Sequence, residues 1–150
     1  MDNFNIIPDG SNVAFHRKTH KKKAKFQNLV ILKKFLKDLK SSFPIDWEIA
    51  VDASLRHKID DKKALEQQIQ TGAIIQCPKK TKADEWILDF FKRHPENTLI
   101  ISNDEFEEYS VPNLVVFKYS IFFGEIMIRP DLHEYLKTRV ESLHEVEHIG

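Results

Sequence analysis

The chain has a single cysteine, Cys77, so an internal disulfide is excluded and a reducing compartment fits. It has no net charge either: 23 Lys and Arg stand against 23 Asp and Glu, so no overall field draws or repels a nucleic acid, and any polyanion site must be local. No uncharged apolar run approaches the roughly 20 residues of a membrane span. Residues 1–8 lack a basic stretch followed by an apolar one. The expectation is an unprocessed, soluble, cytoplasmic protein with no membrane partner. No internal repeat, low-complexity tract or linker interrupts the 150 residues, which read as one domain, 1–150.

What is present suffices for a core. Hydrophobic residues make up 41% of the chain, and 11 of them are Phe. Each such ring buries about 150 Å² or more. Short apolar segments alternate with amphipathic ones. Strands are predicted at 4–8, 47–52, 73–76, 98–102, 114–117 and 125–128, and helices at 26–42, 60–71, from 81 to Pro95, and 131–148. Strands alternating with helices of 10 to 15 residues indicate βαβ units, hence a three-layer α/β/α sandwich with a mostly parallel central sheet. In such sheets ligands bind outside the carboxyl ends of the strands, where strand order reverses.

Three carboxylates fall on that edge. Asp9 ends the first strand, Asp104 lies just past the fourth, and Asp84 is in the first turn of the helix between them. Crowded together without a cation, they would repel one another and some would hold their protons. A hard divalent cation removes that penalty and can assist in-line displacement at a phosphodiester. Each residue also has a structural reading: Asp9-Gly10 as a turn, and Thr81 to Asp84 and Ser102 to Glu105 as capping boxes.

The wording of four segments carries a family resemblance. Pro8-Asp9-Gly10-Ser11-Asn12-Val13-Ala14 resembles the Asp-Gly-Ser-Asn-Val-Ala opening of Regnase-type endoribonucleases, in the NYN branch of the PIN-like superfamily. Ala83-Asp84-Glu85-Trp86-Ile87-Leu88 resembles that family's acidic helix start, and Ile100 to Phe106 its Ser-Asn-Asp-x-Phe strand end. Tyr119 to Phe122, with Met127 to Asp131, resembles its closing Tyr-Ser-Phe and Pro-Asp segment.

The resemblance implies a PIN-like endonuclease that uses Mg²⁺ or Mn²⁺ to cut single-stranded or loop RNA, leaving a 5′-phosphate and a 3′-hydroxyl. Asp9, Asp84 and Asp104 would hold the metal. Asn12 would orient the first acid or a phosphate, and Ser102 and Asn103 would support the third acid. Two departures stand out: Ala83 replaces the first of the family's paired Asp residues, and Glu85 replaces its Arg. Glu85, Glu105 and Asp52 are the candidates to replace the missing carboxylate. One cysteine cannot build the family's zinc finger within these 150 residues.

The basic run from His16 to Lys25 follows the first acid. Its Arg17, Lys18, Lys21 and Lys22, with Arg56 and Lys82 elsewhere on the edge, are expected to hold the flanking phosphates, with solvated surface as the alternative for each. Phe15 and Phe26 bracket the run as possible base-stacking rings, although Phe26 also fits the helix core stripe. Partner expectations beyond RNA are a second copy of the chain or a regulatory protein. A catalytically weak or inactive PIN-like RNA-binding module is the alternative function. A rival from another class is the H-E-x-x-H zinc pattern at His144 to His148, which leaves almost no chain for a third ligand.

Overall fold

The computed structural model describes residues 3–149, with side chains as far as Leu143. The His144 to His148 pattern therefore lies outside the described side chains.

The first strand, β1 (Phe4–Pro8), runs straight into a short helix, α1 (Gly10–Ala14), followed by the basic loop and α2 (Phe26–Lys40). β2 (Ile45–Trp47), β3 (Ile49–Val51), α3 (Lys62–Gln70), β4 (Ile74–Gln76) and α4 (Ala83–Arg93) follow. The chain closes with β5 (Thr98–Ile101), β6 (Val116–Phe122), β7 (Glu125–Arg129) and α5 (Leu132–Ile149).

The main sheet has the order β2-β1-β5-β6-β7, parallel throughout except for β7, which returns antiparallel to β6. A second parallel pair, β3-β4, joins it through a bridge between Asp9 and Ala50. The sequence reads 47–52 as one strand, but the chain breaks at Glu48. Its amide stays bonded to the Ile6 carbonyl at 3.1 Å while the two halves enter different sheets. This curls the sheet and brings the carboxyl end of β3 next to that of β1.

Alternation along the strands explains the layers, because successive side chains face opposite sides. Ile6, Leu99 and Ile101 pack with Leu29, Leu32 and Leu36 of α2 and with Leu132 and Leu136 of α5. Ile7 and Ile100 face the other way, onto Ala83, Ile87 and Leu88 of α4. Helices on both faces make the expected α/β/α arrangement.

Gly10 is required by proximity. A Cβ there would lie 2.7 Å from Ile49 Cγ2 and Val51 Cγ1 and 2.9 Å from the Ala50 carbonyl oxygen. The two methyl groups belong to side chains with no exposure, so they have little room to retreat. Gly10→Ala is expected to lower stability by about 1–3 kcal/mol, the usual range for overpacking. Thermal unfolding beside the parent checks this, and an unchanged midpoint would show that α1 can lift off β3 freely.

The other unusual backbone lies at the β6–β7 turn. Phe122 pairs with Glu125, leaving Phe123 and Gly124 as the two turn residues, with φ of 51° and 76°. A two-residue turn with both φ values positive favours Asn-Gly. A bulky ring at the first position costs on the order of 1–2 kcal/mol, and here that ring is fully exposed.

Candidate metal centre

Asp9 is clamped from both sides. Its amide donates to the Ile101 carbonyl of β5 at 2.9 Å, and its backbone bridges to Ala50 of β3. One carboxylate oxygen, Oδ1, accepts from the Asn12 amide at 3.1 Å and so caps α1. The residue is 7% exposed. Burial, reinforced by the charges of Asp52, Asp84 and Asp104, pushes its carboxyl up from 3.8 to about 7, although the Asn12 N–H pulls the other way.

Asp84 is carried by α4. The expected capping box is not formed: Lys82 is the cap residue and supplies no side-chain bond. Asp52 does that work from the end of β3, accepting the Ala83 N–H at 2.6 Å, while its own amide donates to Ser11 Oγ at 2.8 Å. One chain of bonds thus fixes α4 relative to β3 and α1. The Asp84 carboxylate accepts a bond from the Tyr109 hydroxyl at 2.8 Å. Burial and that carboxylate push the Tyr109 phenol up, which keeps it a donor.

Asp104 lies beyond β5 in a side-chain-supported turn, not a capping box. Its amide donates to buried Ser102 Oγ at 3.1 Å, and its Oδ1 accepts the Phe106 amide at 2.8 Å. Asn103 continues the ladder with its side chain: Oδ1 accepts the Tyr119 amide at 3.0 Å and Nδ2 donates to the Tyr119 carbonyl at 3.1 Å. Asn12 Oδ1 accepts the Asn103 amide at 3.1 Å and lies 2.7 Å from the Tyr119 hydroxyl. Asn12, Ser102 and Asn103 therefore order the loops that carry the acids.

One carboxylate oxygen each from Asp84, Asp104 and Glu108 lies within 4.8 Å of the other two. Asp9 is outside this trio but feels the charges of its two Asp members. Asn103, Asp104, Glu105, Glu107 and Glu108 line an open hollow of about 430 Å³. Among the described residues no ion pair reaches Asp9, Asp84, Asp104 or Glu108; Lys118 lies 3.8 Å from Glu105 and donates to the Asn103 and Asp104 carbonyls. Clustered carboxylate oxygens with no cation to balance them suit a hard divalent ion.

Arg17 lies over the Phe122 ring at 4.1 Å and Lys18 over Phe15 at 5.7 Å. Lys21, Lys22 and Lys82 are exposed, and Arg56 is 3.3 Å from the His57 ring. Of the replacement acids, Asp52 caps α4, Glu105 pairs with Lys118, and Glu85 is exposed. Glu108, Tyr109 and Tyr119 were not among the sequence candidates. The available signal for Glu108 was its spacing, four residues after Asp104 in an acidic run.

A curled, mostly parallel sheet with carboxylates at its carboxyl edge places this chain in the NYN/PIN-like fold class. Two solved structures of nuclear proteinaceous RNase P 2 from Arabidopsis thaliana share the fold. One aligns with a TM-score of 0.61 at 15% identity, covering 84% of this chain and 29% of that one. The other gives a TM-score of 0.62 at 16% identity, with 86% and 30% covered. The chain thus spans under a third of either neighbour's length. Residues 3–119 match the Zc3h12a-like Ribonuclease NYN domain, and the chain belongs to that family. No curated protein matches the sequence.

Proposed function

We propose that residues 1–150 form a single metal-dependent endoribonuclease domain that hydrolyses phosphodiester bonds of single-stranded or loop RNA, using Mg²⁺ or Mn²⁺. The observation that carries this reading is the unneutralised set of carboxylates at the sheet edge. Asp9, Asp84 and Asp104 hold the ion, with Glu108 as the fourth acid that the buried Ala83 cannot supply. When bound, the ion supplies a Lewis acid for the scissile phosphate and assists ionisation of the attacking water.

The chain's own groups do the rest. Tyr109 orients Asp84 by donating to it. Ser102 and Asn103 hold the Asp104 loop against β6, and Asn12 links that loop to Asp9. Arg17, Lys18, Lys21, Lys22, Arg56 and Lys82 attract flanking phosphates in a salt-dependent way. Among the described residues no helix is long and apolar enough to cross a membrane, and a cytoplasmic setting accords with the single, buried thiol.

A second reading draws on Ala83, which is buried and offers no carboxylate where the family resemblance has one: a regulatory module that binds RNA with little or no cutting. Fluorescent single-stranded RNA incubated with the purified protein in Mn²⁺, Mg²⁺ or EDTA separates the two. Cutting that needs metal and disappears in Asp104→Asn is the expected result. Binding without cutting in either metal would favour the regulatory module.

A further inference from the structure

The β6–β7 hairpin extends well past the acids. β5 stops at Ile101, which pairs with Phe117, while β6 continues to Phe122, about 16 Å further at roughly 3.3 Å per residue. Lys118, Ser120 and Phe122 occupy one face of this overhang, by the two-residue period of a strand. At its near end Lys118 Nζ sits 3.2 Å from the Asn103 and Asp104 carbonyls. At its far end Phe122 and Phe123 are 42% and 104% exposed.

The basic loop leans on the same hairpin. Arg17 covers Phe122, and His16 Nε2 is 3.4 Å from the Ile121 amide and its ring edge-on to Tyr119. Exposed Lys18, Lys21, Lys22 and Lys23 follow in the chain. Two exposed rings thus stand at the tip of a strand whose near end lies against the Asp104 loop, with the Arg17 guanidinium over one of them. Rings that offer π faces next to a cationic track are what an unpaired nucleic-acid strand uses, its bases stacking while its phosphates follow the charge.

We propose that Phe122 and Phe123 form a base-stacking subsite for the unpaired RNA strand that enters the acidic centre, with Arg17 and Lys118 beside its phosphates. The inference rests on the nuclease reading above, and it makes the hairpin tip the element that selects unpaired over base-paired substrate. It also gives a reason for Phe at a turn position that favours Asn, since the ring there is fully exposed.

The test measures binding of a fluorescein-labelled single-stranded RNA to the full chain by anisotropy, in an Asp104→Asn background that does not cut. Phe123→Ala and Phe123→Leu are both expected to weaken binding about tenfold, the change that roughly 1.4 kcal/mol of lost stacking produces. Phe123→Trp should restore the affinity and have its added fluorescence quenched by RNA. Affinity for a fully base-paired RNA should move little in any of them. Because the ring is exposed, all three should melt with the parent.

Parent-like affinity in Phe123→Ala would overturn the proposal, and so would parent-like affinity in Phe123→Leu, which keeps apolar area without a π face. A parent that sediments as a dimer without RNA, with Phe123→Ala monomeric, would assign the tip to self-association instead. If the parent cuts RNA while the variants bind like it, only the subsite fails. If the parent neither binds nor cuts RNA, the nuclease reading fails with it.

Discussion

Asp9→Asn is expected to abolish metal-dependent cleavage and, in EDTA at pH 8, to raise the melting temperature. The activity loss should reach about two orders of magnitude or more, because the ion's stabilisation of transition-state charge is worth several kcal/mol. The stability gain has a separate origin. In the folded chain the Asp9 carboxyl is pushed up to about 7, so the folded state prefers it neutral and ionising it at pH 8 works against folding. Asparagine keeps the Oδ1 acceptor for the Asn12 amide and removes the charge. A net gain of about 1–2 kcal/mol would raise the midpoint of a chain this size by roughly 2–8 °C. Parallel cleavage and melting curves decide the matter. Lost activity with a lowered midpoint would make Asp9 a structural residue.

The second large effect couples metal, pH and stability. A group whose folded pKa is raised contributes stability that is complete below its unfolded value and is lost as pH climbs through the folded one. For Asp9 that window runs from about 4 to about 7, and the shift corresponds to on the order of 4 kcal/mol. Without divalent ions the protein should therefore melt progressively lower between pH 5 and pH 8. Mn²⁺ should reverse the fall where Asp9 is ionised, by about 2.7 kcal/mol at a hundredfold excess over Kd. At pH 5 the effect should be smaller, because a proton competes with the ion for the Asp9 carboxylate. Cleavage should rise over the same interval. A metal effect on melting that is equal at pH 5 and pH 8 would show the ion binding away from Asp9.

Much of this was legible in the chain, for identifiable reasons. Long periodic segments such as Phe26 to Lys40 can be read because the helical period repeats several times. The parallel topology followed from alternation, and it put Asp9, Asp84 and Asp104 on one edge. The break at Glu48 was illegible: it depends on two halves of a short apolar run choosing different neighbours, a tertiary decision without local punctuation. β6 was read only at its first two residues, Val116 and Phe117, although the strand continues to Phe122. Lys118 and Ser120 disguised it, being partly exposed positions between buried Phe117, Tyr119 and Ile121.

Caps were the weakest point. Thr81 and Ser102 have the right residue types, yet Asp52, some thirty positions away in the chain, holds the Ala83 amide. A sequence pattern shows that a donor needs an acceptor, but it does not show which distant acceptor arrives. Glu108 and Tyr109 escaped for the same reason. Their role depends on the left-handed backbone at Phe106 and Ser110 on either side of their turn, which places both against Asp84 from across the loop.

The Asn12 knot bears on how this edge breathes. One amide oxygen takes the Asn103 N–H and lies within reach of the Tyr119 hydroxyl, so α1, the end of β5 and the hairpin strand cannot part independently. The three are expected to open as one cooperative unit. Although Asn103 is an exposed residue, its amide should exchange with deuterium at the pace of the Tyr119 amide across from it, and the two rates should slow in step when an ion is added.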